Sequence, residues 1–104
     1  MAEFLDPFKI KELGRKLTDR ELSRALRMAQ SAELEATHFY EALADACDNK
    51  DITKILQDVA NEEKVHTGEF EKALRMIDKE EEKYFNDGME ESNKIVSRIL
   101  SRLK

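Results

Sequence analysis

From Thr18 to Asp78 the chain contains no proline and only one glycine, and one short polar stretch interrupts it, Asp48-Asn49-Lys50-Asp51. Few folds are open to such a sequence. Ala, Glu, Lys, Leu and Arg together make up just over half of the 104 residues, a composition of long helices or coiled coil. With 3 glycines and 1 proline in the whole chain there is little turn chemistry for a many-stranded β fold. Thr18-Asp19-Arg20-Glu21 fits a capping box, threonine followed three residues later by glutamate, and predicts a helix start.

The expected organisation is a single helical domain over 1–104. Asp6 as N-cap, Pro7 at the first helical position and Gly14 as a stop predict a short helix over 7–13. Two long helices over 18–48 and 51–77 form the main hairpin. Asn86-Asp87-Gly88 signals a turn, and a C-terminal helix is expected over 89–103, with Ile95, Val96, Ile99, Leu100 and Leu103 on one side.

The apolar periodicity singles out a few residues. On the first long helix a seam runs Leu22, Leu26, Ala29, Glu33, Ala36, Tyr40, Leu43, Cys47. On the second it runs Ile52, Leu56, Val59, Glu63, His66, Phe70, Ala73, Ile77. Such seams face other helices. Each is apolar except near its middle, where Glu33 interrupts one and Glu63 and His66 the other. A charge on a packed seam is costly unless it is paired or coordinates a metal. At ~1.5 Å per residue all three lie roughly 20–25 Å from the turn, so an antiparallel hairpin brings them to one level. Glu63-Lys64-Val65-His66 is a Glu-x-x-His element, whose spacing puts both side chains on one helix face.

Carboxylate-bridged di-iron bundles use one Glu from each of two helices and one Glu-x-x-His from each of two others. This chain supplies half of that set, so a symmetric dimer would complete it, with two metals per dimer. Carboxylate and imidazole donors suit iron, and Mn or Zn would also bind in vitro. A second stripe, Ala25, Met28, Ala32, Glu35, Phe39, Ala42 and Ala46, makes this helix face wider than one hairpin can cover. It argues for a second subunit independently of any metal. The expected fold is therefore all-α: an antiparallel two-helix hairpin plus short terminal helices, dimerising into a four-helix bundle.

Other classes are disfavoured. The net charge of −5 and pI of about 5.1 argue against a nucleic-acid binder, which needs a basic stripe. The single cysteine, Cys47, excludes a disulfide framework or a rubredoxin-like CxxC site within the chain, and reads as a small apolar residue near the turn. No apolar run approaches the ~20 residues that span a bilayer, and MAEFLDPFKI does not resemble a signal peptide. The expectation is a cytoplasmic protein without membrane contact. His38 falls off the Glu33 seam and reads as a surface or interface residue.

Ala32-Glu33-Leu34-Glu35-Ala36-Thr37-His38-Phe39-Tyr40 followed by Glu62-Glu63-Lys64-Val65-His66 resembles the encapsulated ferritins, two-helix relatives of ferritin and rubrerythrin packaged in encapsulin nanocompartments. The resemblance covers roughly residues 20–78. It implies a ferroxidase centre between two subunits that oxidises Fe(II) with O₂, with Glu33, Glu63 and His66 as ligands. It also implies an assembly of dimers, often a decameric ring, and an encapsulin shell that holds the mineral. Tyr40 follows the first ligand in the family's aromatic pair and would hydrogen-bond a ligand carboxylate. Phe39 stands where many members have Trp. Some members carry acids that form a metal access site; here Glu35 and Glu62 remain, while Ala32 replaces one. The tail from Ile95 to Lys104 is basic and amphipathic, unlike the small apolar docking peptide of family cargo. Two other functions fit the same residues: a rubrerythrin-like peroxide reductase supplied by a separate electron donor, and a non-catalytic helical module whose metals staple the dimer.

Overall fold

The computed structural model describes residues 7–103. Four helices follow one another: α1 (Pro7–Glu12), α2 (Asp19–Asp45), α3 (Lys50–Ile77) and α4 (Lys79–Arg102). There is no strand among the described residues. The expected cap at Asp6 lies outside them. Gly14, just past α1, has φ +67°, a left-handed conformation that glycine adopts without a Cβ clash.

α2 starts where the capping box placed it. The Thr18 hydroxyl accepts from the Glu21 N–H at 3.2 Å, and the Glu21 carboxylate accepts from the Thr18 N–H at 2.9 Å. Arg15 grips the same carboxylate through both guanidinium nitrogens, at 2.7 and 3.0 Å. The hydrogen bonds from Arg15, then that from the Thr18 backbone, hold the Glu21 carboxyl at about 2. At the other end α2 stops at Asp45 rather than 48, because the Cys47 N–H turns back to the Ala44 carbonyl and tightens the last turn. The Asn49 side chain then caps α3, accepting from the N–H groups of Asp51 and Ile52. The Thr53 hydroxyl donates back across the turn to the carbonyls of Ala44 and Cys47. The Cys47 thiol is half-buried and points to the Asn49 carbonyl at 3.6 Å.

The hairpin packs in large part on polar residues that a hydropathy pattern does not mark. Ser23, Gln30, Thr37 and Ala44 on α2, and Thr53, Ala60, Thr67 and Leu74 on α3, recur every seven residues and line the contact. Ser23, Thr37, Ala44, Ala60 and Leu74 are buried, and the other three are half-buried. Ser, Thr and Ala at these positions let the two helix axes approach closely. The threonine hydroxyls stay satisfied by donating to carbonyls of the hairpin. The apolar seam lies one step to the side. Most of it is half-buried, and Leu43 and Ile52 are exposed. It therefore runs along the edge of the hairpin contact and faces outward along its length.

The C-terminal helix differs from the expectation of a helix over 89–103 after a turn at Asn86-Asp87-Gly88. The break falls at Asp78, a single extended residue at φ −128°, ψ 92°, and α4 then runs unbroken through Gly88. Asp78 is a strong N-cap: its carboxylate accepts from the Glu81 N–H, and Glu80, Glu81 and Glu82 place negative charge in the first turn. Against that, one internal glycine costs only about 1 kcal/mol. Arg27 of α2 ties the junction, donating to Asp78 at 3.1 Å and Glu81 at 3.0 Å. Arg75 of α3 lies 4.1 Å over the Phe85 ring. Beyond these contacts α4 projects from the hairpin, and none of its residues is buried. The radius of gyration is 18.5 Å, where a closed globule of this length would have ~13 Å.

Candidate metal centre

Three side chains converge at the middle of the hairpin. Glu33 comes from α2; Glu63 and His66 come from successive turns of α3. Each offers one donor atom, and those atoms all lie within 4.8 Å of one another. His66 Nδ1 lies 3.6 Å from Glu33 Oε2 and 3.6 Å from Glu63 Oε2. That is too long for a hydrogen bond. It suits atoms that share a metal, since two donors each ~2.1 Å from one ion sit roughly 3–3.5 Å apart at a tetrahedral angle.

The pairing of the surrounding acids sharpens the contrast. Glu41 receives Lys64 at 3.0 Å, and that hydrogen bond, then the lysine's charge, holds its carboxyl below the usual range. Burial pushes the Glu71 carboxyl up, but hydrogen bonds from Gln30 and Arg75 outweigh it and leave Glu71 lowered. Among the described residues Glu33 and Glu63 have no such cation or amide; each meets only His66. Glu33 Oε2 is buried and accepts no hydrogen bond. A buried carboxylate oxygen without a donor is costly, and a metal ion is the simplest group to repay it. The two glutamate side chains retain 19% of their surface and the imidazole 44%, so the cluster opens on one side.

Both acid-bearing turns are built alike. The Thr37 hydroxyl donates to the Glu33 carbonyl at 2.8 Å, and the Thr67 hydroxyl to the Glu63 carbonyl at 3.1 Å. Each glutamate thus has a threonine four residues on, bound to its own backbone and set in or beside the hairpin contact. Sequence reading passed over these threonines. The repeated Glu-x-x-x-Thr spacing is the signal that could have found them.

The other expected site residues stand apart. Glu35 and Glu62 are exposed and belong to no cluster of donors among the described residues. Tyr40 is half-buried and its ring packs edge-on against Phe39, with centroids 5.7 Å apart; among the described residues its hydroxyl bonds no ligand carboxylate. His38 is exposed. No helix among the described residues is long and apolar enough to cross a membrane.

Comparison with known proteins identifies the family. Residues 24–102 match the rubrerythrin family. The chain is 39% identical over 83 residues to the encapsulin nanocompartment cargo protein EncC of Myxococcus xanthus, covering 80% of this chain and 64% of that protein. It is 43% identical over 74 residues to the ferritin-like-encapsulin shell fusion protein of Pyrococcus furiosus, covering 71% of this chain and 21% of that protein. The chain thus spans less than two-thirds of the length of either curated relative. Among solved structures, the encapsulated ferritin domain from Pyrococcus furiosus superposes with a TM-score of 0.74 at 40% identity, covering 77% of this chain and 82% of that one.

Proposed function

This chain belongs to the rubrerythrin family and is homologous to encapsulated ferritins, and we propose that it is a ferroxidase with Fe(II) as substrate and O₂ as oxidant. The observation that carries the reading is the cluster of Glu33, Glu63 and His66, with an unpartnered buried oxygen on Glu33. Three donors on one open face are half of a carboxylate-bridged pair site. The other half would come from the same residues of a second copy, related by a two-fold axis.

In that arrangement the residues have distinct tasks. Glu33 and Glu63 would hold the ions and neutralise part of their positive charge. His66 supplies one neutral nitrogen donor per chain. Thr37 and Thr67 fix the helix turns that carry the carboxylates. Tyr40 lies two helical turns beyond Glu33 on the same seam and would reach a ligand carboxylate only in the assembled dimer. Two Fe(II) ions, the substrate, would give one electron each to one O₂, which with two protons from solvent leaves as hydrogen peroxide (2 Fe(II) + O₂ + 2 H⁺ → 2 Fe(III) + H₂O₂), and anionic oxygen ligands favour that loss by stabilising Fe(III). Glu35 and Glu62, both exposed, are candidates for guiding Fe(II) toward the opening.

The names of the two curated relatives support an encapsulin shell as the partner; the half-set of donors on each chain is what calls for a dimer, or an assembly of dimers, as the working form. Oxygen uptake by the full chain on addition of Fe(II), compared with Glu63→Ala, tests the activity. Rapid uptake that the substitution abolishes is expected. Iron bound without oxygen consumption would overturn the ferroxidase reading and leave a metal-stapled helical module. Consumption of peroxide in preference to O₂, driven by an added reductant, would favour a peroxide reductase.

A further inference from the structure

We infer that the hydroxyls of Thr37 and Thr67 are positioning groups that set how tightly the Glu33–Glu63–His66 cluster takes its metal, an inference that rests on the metal-centre reading and deepens it. Neither glutamate is fixed at its charged end. Glu33 Oε2 accepts no hydrogen bond, and among the described residues both carboxylates meet only His66, at 3.6 Å. What holds each acid, besides contact along its stem, is the backbone turn that carries it.

The chain has four threonines. Thr18 caps α2, and Thr53 donates across the turn between α2 and α3. Thr37 and Thr67 are the two that donate to a carbonyl four residues back, and those carbonyls belong to Glu33 and Glu63. Each carbonyl already accepts the helical N–H of the same threonine, so the hydroxyl is a second donor to a satisfied group. Packing does not call for it, because Ala44 and Ala60 are buried in the same hairpin contact. Alanine is also the better helix former, and a hydroxyl bonded to the carbonyl four residues back bends a helix and slightly weakens it. Two threonines here cost the hairpin something, and both fall on the turns that bear the cluster's acids.

What the hydroxyls supply is stiffness and direction. Each bond fixes the threonine rotamer and ties it to the acid's own carbonyl, at 2.8 Å for Thr37 and 3.1 Å for Thr67. The local bend sets where the glutamate side chain leaves the helix. A cluster shaped in advance in this way loses less binding free energy to ordering when metal enters. Thr37 is buried and Thr67 half-buried, so the Glu33 turn has the shorter and drier bond. It also carries the oxygen that has no donor. Thr37 should therefore matter more than Thr67.

Titration of the full chain with Co(II) tests this, since the visible bands read ligand geometry as well as occupancy. Valine keeps the shape and helix propensity of threonine and leaves no buried group unsatisfied. Thr37→Val with Thr67→Val should keep the helix content and melting temperature of the metal-free wild type. Its Co(II) affinity should fall roughly ten-fold, with shifted bands. Thr37→Val alone should account for most of that loss, and it carries the test should the double variant fail to fold. Thr37→Ser with Thr67→Ser keeps both hydroxyls and should bind within about three-fold of the wild type, with its spectrum. Valine variants that match the wild type in affinity and spectrum would overturn the inference, as would serine variants that bind no better than valine. Wild-type Co(II) binding that survives Glu63→Ala would overturn the metal-centre reading itself, and this inference with it.

Discussion

Replacing Glu33 with methionine is expected to reverse its effect on stability between the metal-free and the metal-loaded protein. Glu33 Oε2 is buried with no hydrogen-bond donor, and an unsatisfied buried acceptor costs ~1–3 kcal/mol. Methionine has similar length and fills the site without a polar atom, so metal-free Glu33→Met should match or exceed the wild type by about 1 kcal/mol. With metal the order inverts. A ligand at 100 times its Kd stabilises the folded state by ~2.7 kcal/mol, which for a domain near this size is a rise of roughly 10–20 °C in Tm. Wild type should show that rise with Zn(II), which binds the same donor types and does no redox chemistry. The variant should show almost none. Thermal melts by circular dichroism at fixed protein concentration, with and without Zn(II), read both numbers. A metal-free variant destabilised by more than about 1 kcal/mol would refute the reasoning, as would an equal Zn(II) shift in both proteins.

Four further outcomes are expected from the fold. Gly88→Ala should stabilise α4 by about 1 kcal/mol, seen as higher helicity, because a Cβ there meets nothing within 4 Å and the backbone is helical; destabilisation would restore the turn reading. Leu74→Ala should cost ~2–5 kcal/mol in denaturant unfolding and Ala60→Leu ~1–3 kcal/mol, since both positions are 0% exposed. The Glu21 carboxyl is held at about 2 against an ordinary 4.5, so its contribution is complete above 4.5 and is lost as pH falls toward 2. Protection of the first-turn amides of α2, taken relative to their intrinsic exchange rates, should fall as pH is lowered across that window in the wild type, and Glu21→Gln should lack that fall.

The hairpin and its charged centre were legible because each rests on a strong local rule. Thr18 with Glu21 fixes the start of α2, and the interrupted seams alone place Glu33, Glu63 and His66 on one level. What lies between the two helices was not legible. Ser23, Gln30, Thr37, Thr53 and Thr67 read as surface residues on any hydropathy scale, yet they line the contact, because close approach of two helices favours small side chains whose hydroxyls can bond the backbone. The seam was right in period, and the structure sets it one step aside, along the edge of the contact. The start of α4 was missed for a different reason. Asn86-Asp87-Gly88 is a turn signal in isolation, but the cap at Asp78, the acids of the next turn and the Arg27 clamp outweigh one internal glycine. Reading Asp78-Lys79-Glu80-Glu81 as a capping pattern would have found it.

The proposed ferroxidase requires that one chain hold half of a two-metal site. Native mass spectrometry of the protein titrated anaerobically with Fe(II) tests it most directly. Iron is expected on dimers and multiples of dimers only, two per dimer, and none in Glu63→Ala. Iron retained by the monomer, or by Glu63→Ala at the wild-type stoichiometry, would contradict it.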